Sequence, residues 1–464
     1  MKRLLLLYIL VVGTYASARA QGDSVLTLSK VVKIDHIHLY GNDKTRDKII
    51  LRELSFSEGQ MVNSDSLHFL IAQSEERLAS TGLFTSYHIS IDTISPASVD
   101  FNIHVKERWY IIPEPTFQLA DRNFNVWWNE QNHELRRTII GVVLKHKNFR
   151  GNLENLNVTA QVGYTKKFGI EYLNPYLDKD QKHGFGVALA MAESQETYYA
   201  TDSNKLRFIK SRSNYILKQY EASVAYTYRP AYASHHILRL GYKYYHIGDT
   251  IAELNASYFE NGSRDLRIVE LSYRYELNKT DNWNYPLKGT KVIAQLFVRF
   301  GLEGMKQQSF ATLELGKFYN PCDKWYYSLI FRGRLSLPAA QPYALNGALG
   351  TKYDYVRGYE YYVIDGSHFG LLRFDLKREV LNFSIKNIPL KYLPVIPIRV
   401  YPKIFADAGY VQNQYEGNSF LNNRLLYSAG IGLDIFTAYD IKIRLEYAWN
   451  HLGQKDLFLH FNSE

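Results

Sequence analysis

Between Trp109 and Glu464 the chain repeats one short pattern that constrains its fold more than any other feature. Segments of about ten residues alternate apolar and polar side chains and are split by turn-rich stretches, with no convincing long amphipathic helix among them. Ile441, Ile443, Leu445, Tyr447 and Trp449 alternate with Lys442, Arg444, Glu446, Ala448 and Asn450. Leu238, Leu240, Tyr242 and Tyr244 alternate with Arg239, Gly241, Lys243 and Tyr245, and Leu372, Phe374 and Leu376 with Arg373, Asp375 and Lys377. Tyr220, Ala222, Val224, Tyr226 and Tyr228 keep the same period. A period of two sends one set of side chains to each face of a strand, so each segment has an apolar and a polar face.

A soluble β-sandwich alternates in the same way. Three features turn the reading towards lipid. The segments are long enough, at about 9–11 residues, to cross a bilayer at a tilt. Aromatic residues gather at segment ends, at Tyr198-Tyr199, Tyr244-Tyr245 and Trp325-Tyr326-Tyr327, where interfacial girdles stand in a barrel. The chain also opens on an export leader: Lys2 and Arg3 precede the apolar run Leu4–Val12, and Ala18-Arg19-Ala20 forms a small-x-small cleavage site before Gln21. Residues 1–20 are read as a signal peptide and 21–30 as a short linker. No cysteine stands directly behind the apolar run at the cleavage site, which excludes lipoprotein processing, and the single cysteine, Cys322, excludes an intrachain disulfide framework. The formal charge of +9 is dispersed rather than clustered, which with export argues against nucleic acid as a partner. No run of roughly 18 apolar residues exists, so a helical membrane protein is excluded.

Sixteen candidate strands start near Phe117, Ile139, Leu156, Phe168, Phe185, Tyr220, Ile237, Ile268, Val292, Phe310, Tyr326, Leu371, Ile404, Leu425, Ile441 and Leu457. An even count lets an up-and-down barrel begin and end on one side of the membrane. In lipid the sheet must close, because an open edge would leave backbone groups without partners. The first candidate, Thr116–Trp127, loses its alternation at Asp121-Arg122-Asn123, and the last has only Leu457, Leu459 and Phe461 on its apolar face. Phe117, Leu119, Leu457, Leu459 and Phe461 thus mark a seam expected to open at low cost.

Ahead of the strands lies a smaller unit. Val32, Ile34, Ile37 and Leu39 alternate up to a break at Gly41-Asn42. Helical spacing comes next, with Ile49, Ile50 and Leu54 before Gly59. A second helix, capped by Asn63 or Ser64, presents Leu67, Leu70, Ile71 and Leu78 and ends at Gly82. Two alternating strands, Tyr87-Ile89-Ile91 and Val99-Phe101-Ile103-Val105, complete a β-α-α-β-β order. The placing of Gly41-Asn42, Thr45, Ile49, Arg52, Leu54, Gly59, Leu67, Leu78, Gly82-Leu83-Phe84 and Val105-Lys106-Glu107-Arg108 resembles a POTRA domain over residues 31–108, leaving 109–464 as the barrel domain.

The longest strand-poor connection, near Pro338–Phe369, contains Val356-Arg357-Gly358-Tyr359; about fifty residues on stands Phe405-Ala406-Asp407-Ala408-Gly409. This pair resembles the barrel of the BamA/TamA (bacterial surface antigen) superfamily, in which a loop between strands eleven and twelve folds into the lumen and its V-R-G-F/Y tip meets an acidic residue on strand thirteen. The independent strand count puts the loop and Asp407 in those places. Asn148-Phe149-Arg150-Gly151, Tyr172-Leu173-Asn174-Pro175-Tyr176 and Tyr285-Pro286-Leu287-Lys288-Gly289 look like further landmarks of the family. The resemblance implies a 16-stranded transmembrane β-barrel in the outer membrane with its POTRA in the periplasm. A guanidinium inside a narrow lumen needs a carboxylate, which makes Asp407 the expected partner of Arg357.

Nothing in the sequence carries catalytic chemistry. His36 and His38, and His235-His236, lack the carboxylate or cysteine company of a metal site. No phosphate loop, nucleophile elbow or zinc motif is present, and Cys322 has no evident base. No enzyme, cofactor or metal is expected. The resemblance implies assembly or insertion of other outer-membrane proteins, with the lipid bilayer, unfolded clients and periplasmic chaperones or lipoproteins as partners. Two other readings stay open: a polypeptide-secretion pore of the two-partner type, and a structural barrel without assembly activity.

Overall fold

The structure, a computed structural model, describes residues 28–121, 124–174, 177–178, 182–211, 215–302, 307–351, 354–386, 395–414, 417–437 and 441–462. The leader read at 1–20 and most of the linker lie outside these residues.

The N-terminal unit is built on a four-stranded sheet in the spatial order Met61–Asn63, Val31–Tyr40, Ser98–Glu107, Phe84–Ser95. Val31–Tyr40 runs parallel to Ser98–Glu107, which forms a hairpin with Phe84–Ser95. Helices Asp47–Glu53 and Leu67–Thr81 lie between the strands in sequence. Val32, Ile34, Leu78, Val99, Phe101 and Ile103 are fully buried, and Phe56 stacks on Phe101 with ring centroids 4.0 Å apart. The periodicity missed one element. Met61–Asn63 pairs antiparallel with Val31–Lys33, giving β-α-β-α-β-β, and three residues are too few for a period of two to register.

The second unit is a closed antiparallel barrel. His368–Arg378 and Leu381–Lys386 both pair with Val395–Gln412 and make one strand interrupted at Glu379-Val380, so the barrel has sixteen strands. Apolar side chains face outward: Leu240 is 50 % exposed and Leu445 40 %, whereas inward Glu446 is fully buried. That inside-out distribution is what a lipid-facing wall requires. Among the described residues no helix is long and apolar enough to cross a membrane.

The first strand departs from its expected bounds. It spans Ile111–Leu119, and the later part of the expected segment forms a short helix, Phe124–Asn129, instead of strand. Pro113 and Pro115 hid its start, since proline reads against a strand except at an edge. Cys322 closes the strand Gln308–Cys322 opposite Trp325. His38 lies on the strand Val31–Tyr40, 3.5 Å from Asp100.

Candidate functional site

Two features of the barrel are candidate functional sites: a loop whose tip is bound to the inner wall and the junction of the first and last strands. The loop runs between strands eleven (Trp325–Leu337) and twelve (from His368). Its tip is buried against the inner wall, with Val356, Arg357 and Tyr359 each under 4 % exposed. The Arg357 backbone N–H donates to Asp407 Oδ2 at 3.0 Å, and Nε donates to Oδ1 at 3.1 Å and Oδ2 at 3.0 Å. Both side chain and backbone thus grip one carboxylate, which fixes the direction of the loop as well as its charge.

The pair sits inside a wider network. Arg357 Nη1 donates to Asp375 at 2.6 Å and lies 3.4 Å from Glu446, and the guanidinium stacks 4.0 Å above the Phe405 ring. Glu446 also meets Lys403 at 2.7 Å, Lys403 meets Asp434, and Lys377 lies 3.5 Å from Asp434. On the last strand His460 stands 3.5 Å from Glu446 and 3.7 Å from Glu360 of the loop. A buried charge is tolerated only with partners of this kind, and removing one strands the rest.

Two glycines make room. Gly358 adopts φ +86°, and a Cβ there would come within 3.3 Å of the Ala448 Cβ. A Cβ on Gly409 would strike Val356 Cγ2 at 2.5 Å, so the glycine closing Phe405–Gly409 seats the loop tip. Asn450 Nδ2 donates to the Gly358 carbonyl at 2.6 Å. Asp375, Glu446 and Lys403 were not singled out as site residues. Their signal was present as charges at inward positions of alternating strands, but alternation does not say which inward charge faces the loop.

At the seam the last strand, Lys455–Asn462, adjoins the first. Hydrogen-bond parity shows which backbone groups face the junction. Lys147 N–H donates to Tyr110 C=O at 2.8 Å, and Ala120 N–H to Arg137 C=O at 2.7 Å. Even-numbered positions of the first strand therefore bond to the second strand, and odd-numbered ones turn their backbone groups to the seam. Pro113 and Pro115 are odd, so the seam edge lacks two N–H donors in a nine-residue strand. On the other side, Asn450 N–H donates to Gln454 C=O at 3.0 Å, which by the same parity turns Leu457 and Leu459 to the seam. Phe117 (69 % exposed) and Leu457 (50 %) project outward beside the junction. The Phe461 side chain lies outside the described residues.

The family model described as POTRA, surface antigen variable number repeat, matches residues 32–108. No curated protein sequence matches the chain. Among solved structures, BamA from Haemophilus ducreyi lacking POTRA domains 1–3 matches at TM-score 0.53 and 16 % identity, covering 92 % of this chain and 83 % of that one. CdiB from Escherichia coli matches at TM-score 0.55 and 11 % identity, covering 93 % and 75 %. CdiB from Acinetobacter baumannii matches at TM-score 0.50 and 13 % identity, covering 93 % and 73 %. Residues 32–108 are a POTRA domain. The chain as a whole shares the fold of these BamA and CdiB structures, with a POTRA domain followed by a sixteen-stranded barrel.

Proposed function

We propose that this protein assembles or inserts other outer-membrane proteins, its POTRA domain in the periplasm capturing clients or partners by strand addition and its barrel seam acting as the insertion site. The observation that carries the reading is the donor-poor seam edge left by Pro113 and Pro115. Every ladder bond missing there lowers the cost of parting the first and last strands, and a parted edge is a template for an incoming hairpin. In the POTRA sheet Phe84–Ser95 is the longer of the two edge strands, and its Ile89 N–H is occupied by the Glu75 carboxylate at 3.2 Å, a bond that strand addition would replace.

Depletion with subsequent profiling of the outer membrane tests the proposal. Assembly predicts a broad loss of other barrels. Loss of one exported polypeptide would instead identify a secretion pore, and an unchanged profile a structural barrel.

A further inference from the structure

The first loop leaves the barrel after Leu119 and returns at Thr138. A buried pair fixes its base: Arg137 Nε donates to both Asp121 carboxylate oxygens, at 3.2 and 3.0 Å, and Nη2 to Oδ1 at 2.7 Å. Glu196 closes on the same guanidinium. The break in alternation at Asp121 is where the chain leaves the sheet for this clamp. Held within it, the helix Phe124–Asn129 buries Val126 and Trp127, and Trp127 Nε1 donates to the Glu134 carbonyl at 3.0 Å.

The helix delivers two amides to the last strand. Asn125 Nδ2 donates to the Leu457 carbonyl at 2.8 Å. The Asn125 and Asn129 amides also reach the Tyr361 hydroxyl, at 3.3 and 2.9 Å, and that hydroxyl donates to Asp456 Oδ2. Asp456 Oδ1 in turn accepts the Leu457 N–H at 2.8 Å. Leu457 is one of the positions whose backbone faces the seam. Both of its polar backbone groups are thus held by side chains, just where the first strand gives way to its loop.

We infer that Asn125, Asn129 and Tyr361 are positioning residues of the seam: a side-chain clasp that occupies the Leu457 backbone groups an incoming strand would pair with, and whose release exposes them. The clasp stands on its own hydrogen bonds, while its part in insertion rests on the function proposed above. An edge strand with free backbone groups invites unwanted pairing, and the clasp covers that edge between insertion events. Its bonds to Leu457 and among the amides are individually modest, so an arriving strand that supplies backbone bonds can displace them.

Hydrogen exchange of the full mature protein in lipid nanodiscs tests this. Asn125→Asp keeps the shape of the side chain but loses its donor, and Tyr361→Phe keeps the ring beside Phe458 (centroids 5.7 Å apart) but loses the hydroxyl. Each, and Asn129→Ala combined with Asn125→Asp, is expected to raise exchange across residues 455–460 by about tenfold, with Ser234–Ile247 and Asp265–Thr280 unchanged. A residue that acts only through packing would leave Asn125→Asp near the parent. Unchanged exchange at 455–460 in a folded, heat-modifiable variant overturns the clasp, as does an equal rise in the distant strands. Client insertion measured in parallel separates the two claims: faster exchange with faster insertion supports both, and faster exchange with unaltered insertion keeps the clasp and overturns its role in insertion.

Discussion

Two stretches of the same wall are built on opposite terms. Across strands twelve to fifteen, inward charges are matched to one another: Arg373, Asp375 and Lys377 face Lys403 and Asp407, then Asp434, then Glu446, with Arg357 of the loop at their centre. The first and last strands meet with prolines where donors would stand, and with Leu457 tied to side chains. One region uses charge to hold a loop and a wall together, and the other withholds the bonds that would hold it shut. A barrel can open at a chosen junction only if the rest of its circumference stays closed, and the contrast supplies that condition.

The contrast can be broken most severely at its firm end. Asp407→Ala leaves Arg357 buried without its main partner and is expected to cost about 3–5 kcal/mol, read as a lower urea midpoint in detergent and less folded barrel in the membrane. Next comes the lipid face away from the seam. Leu240→Arg places a cation near mid-strand on the outward surface and is expected to cost about 2–4 kcal/mol, measured by the same unfolding assay; a neutral result would contradict the outward assignment. At the soft end, Pro113→Val with Pro115→Val restores two seam donors. If each new bond contributes about 1 kcal/mol, the pair stabilises the closed barrel by about 2 kcal/mol and slows client insertion. The smallest effect is at Gly358→Ala, where a methyl group at positive φ near Ala448 costs roughly 1–2 kcal/mol and loosens the loop tip without unfolding the wall, visible as faster exchange at residues 356–360.

How far this contrast was legible in the sequence differs between its two ends. Strand existence was readable because a period of two survives in most wall segments. Arg357 and Asp407 were readable through the resemblance of their motifs, not through periodicity. The carboxylates Asp375 and Glu446 were visible as inward charges, yet nothing local tells one inward charge from the next; the register between strands decides it. The first strand was misplaced because Pro113 and Pro115, the residues that remove two backbone donors from the seam edge, also erase the strand signal. The helix Phe124–Asn129 escaped for a related reason: six residues are too short to show helical periodicity, and its contacts run to residues more than 200 positions away.

The most direct test of a seam that opens is a tether across it. In a Cys322→Ser background, cysteine pairs scanned over Ile111–Leu119 against residues 455–460 give an oxidised barrel whose first and last strands cannot part. A control tether joins Ala406 and Ala429, which face each other directly across strands thirteen and fourteen. A seam that must part for insertion predicts that its tether abolishes client insertion, that reduction restores it, and that the control tether leaves it intact. Full insertion with the seam oxidised would contradict it.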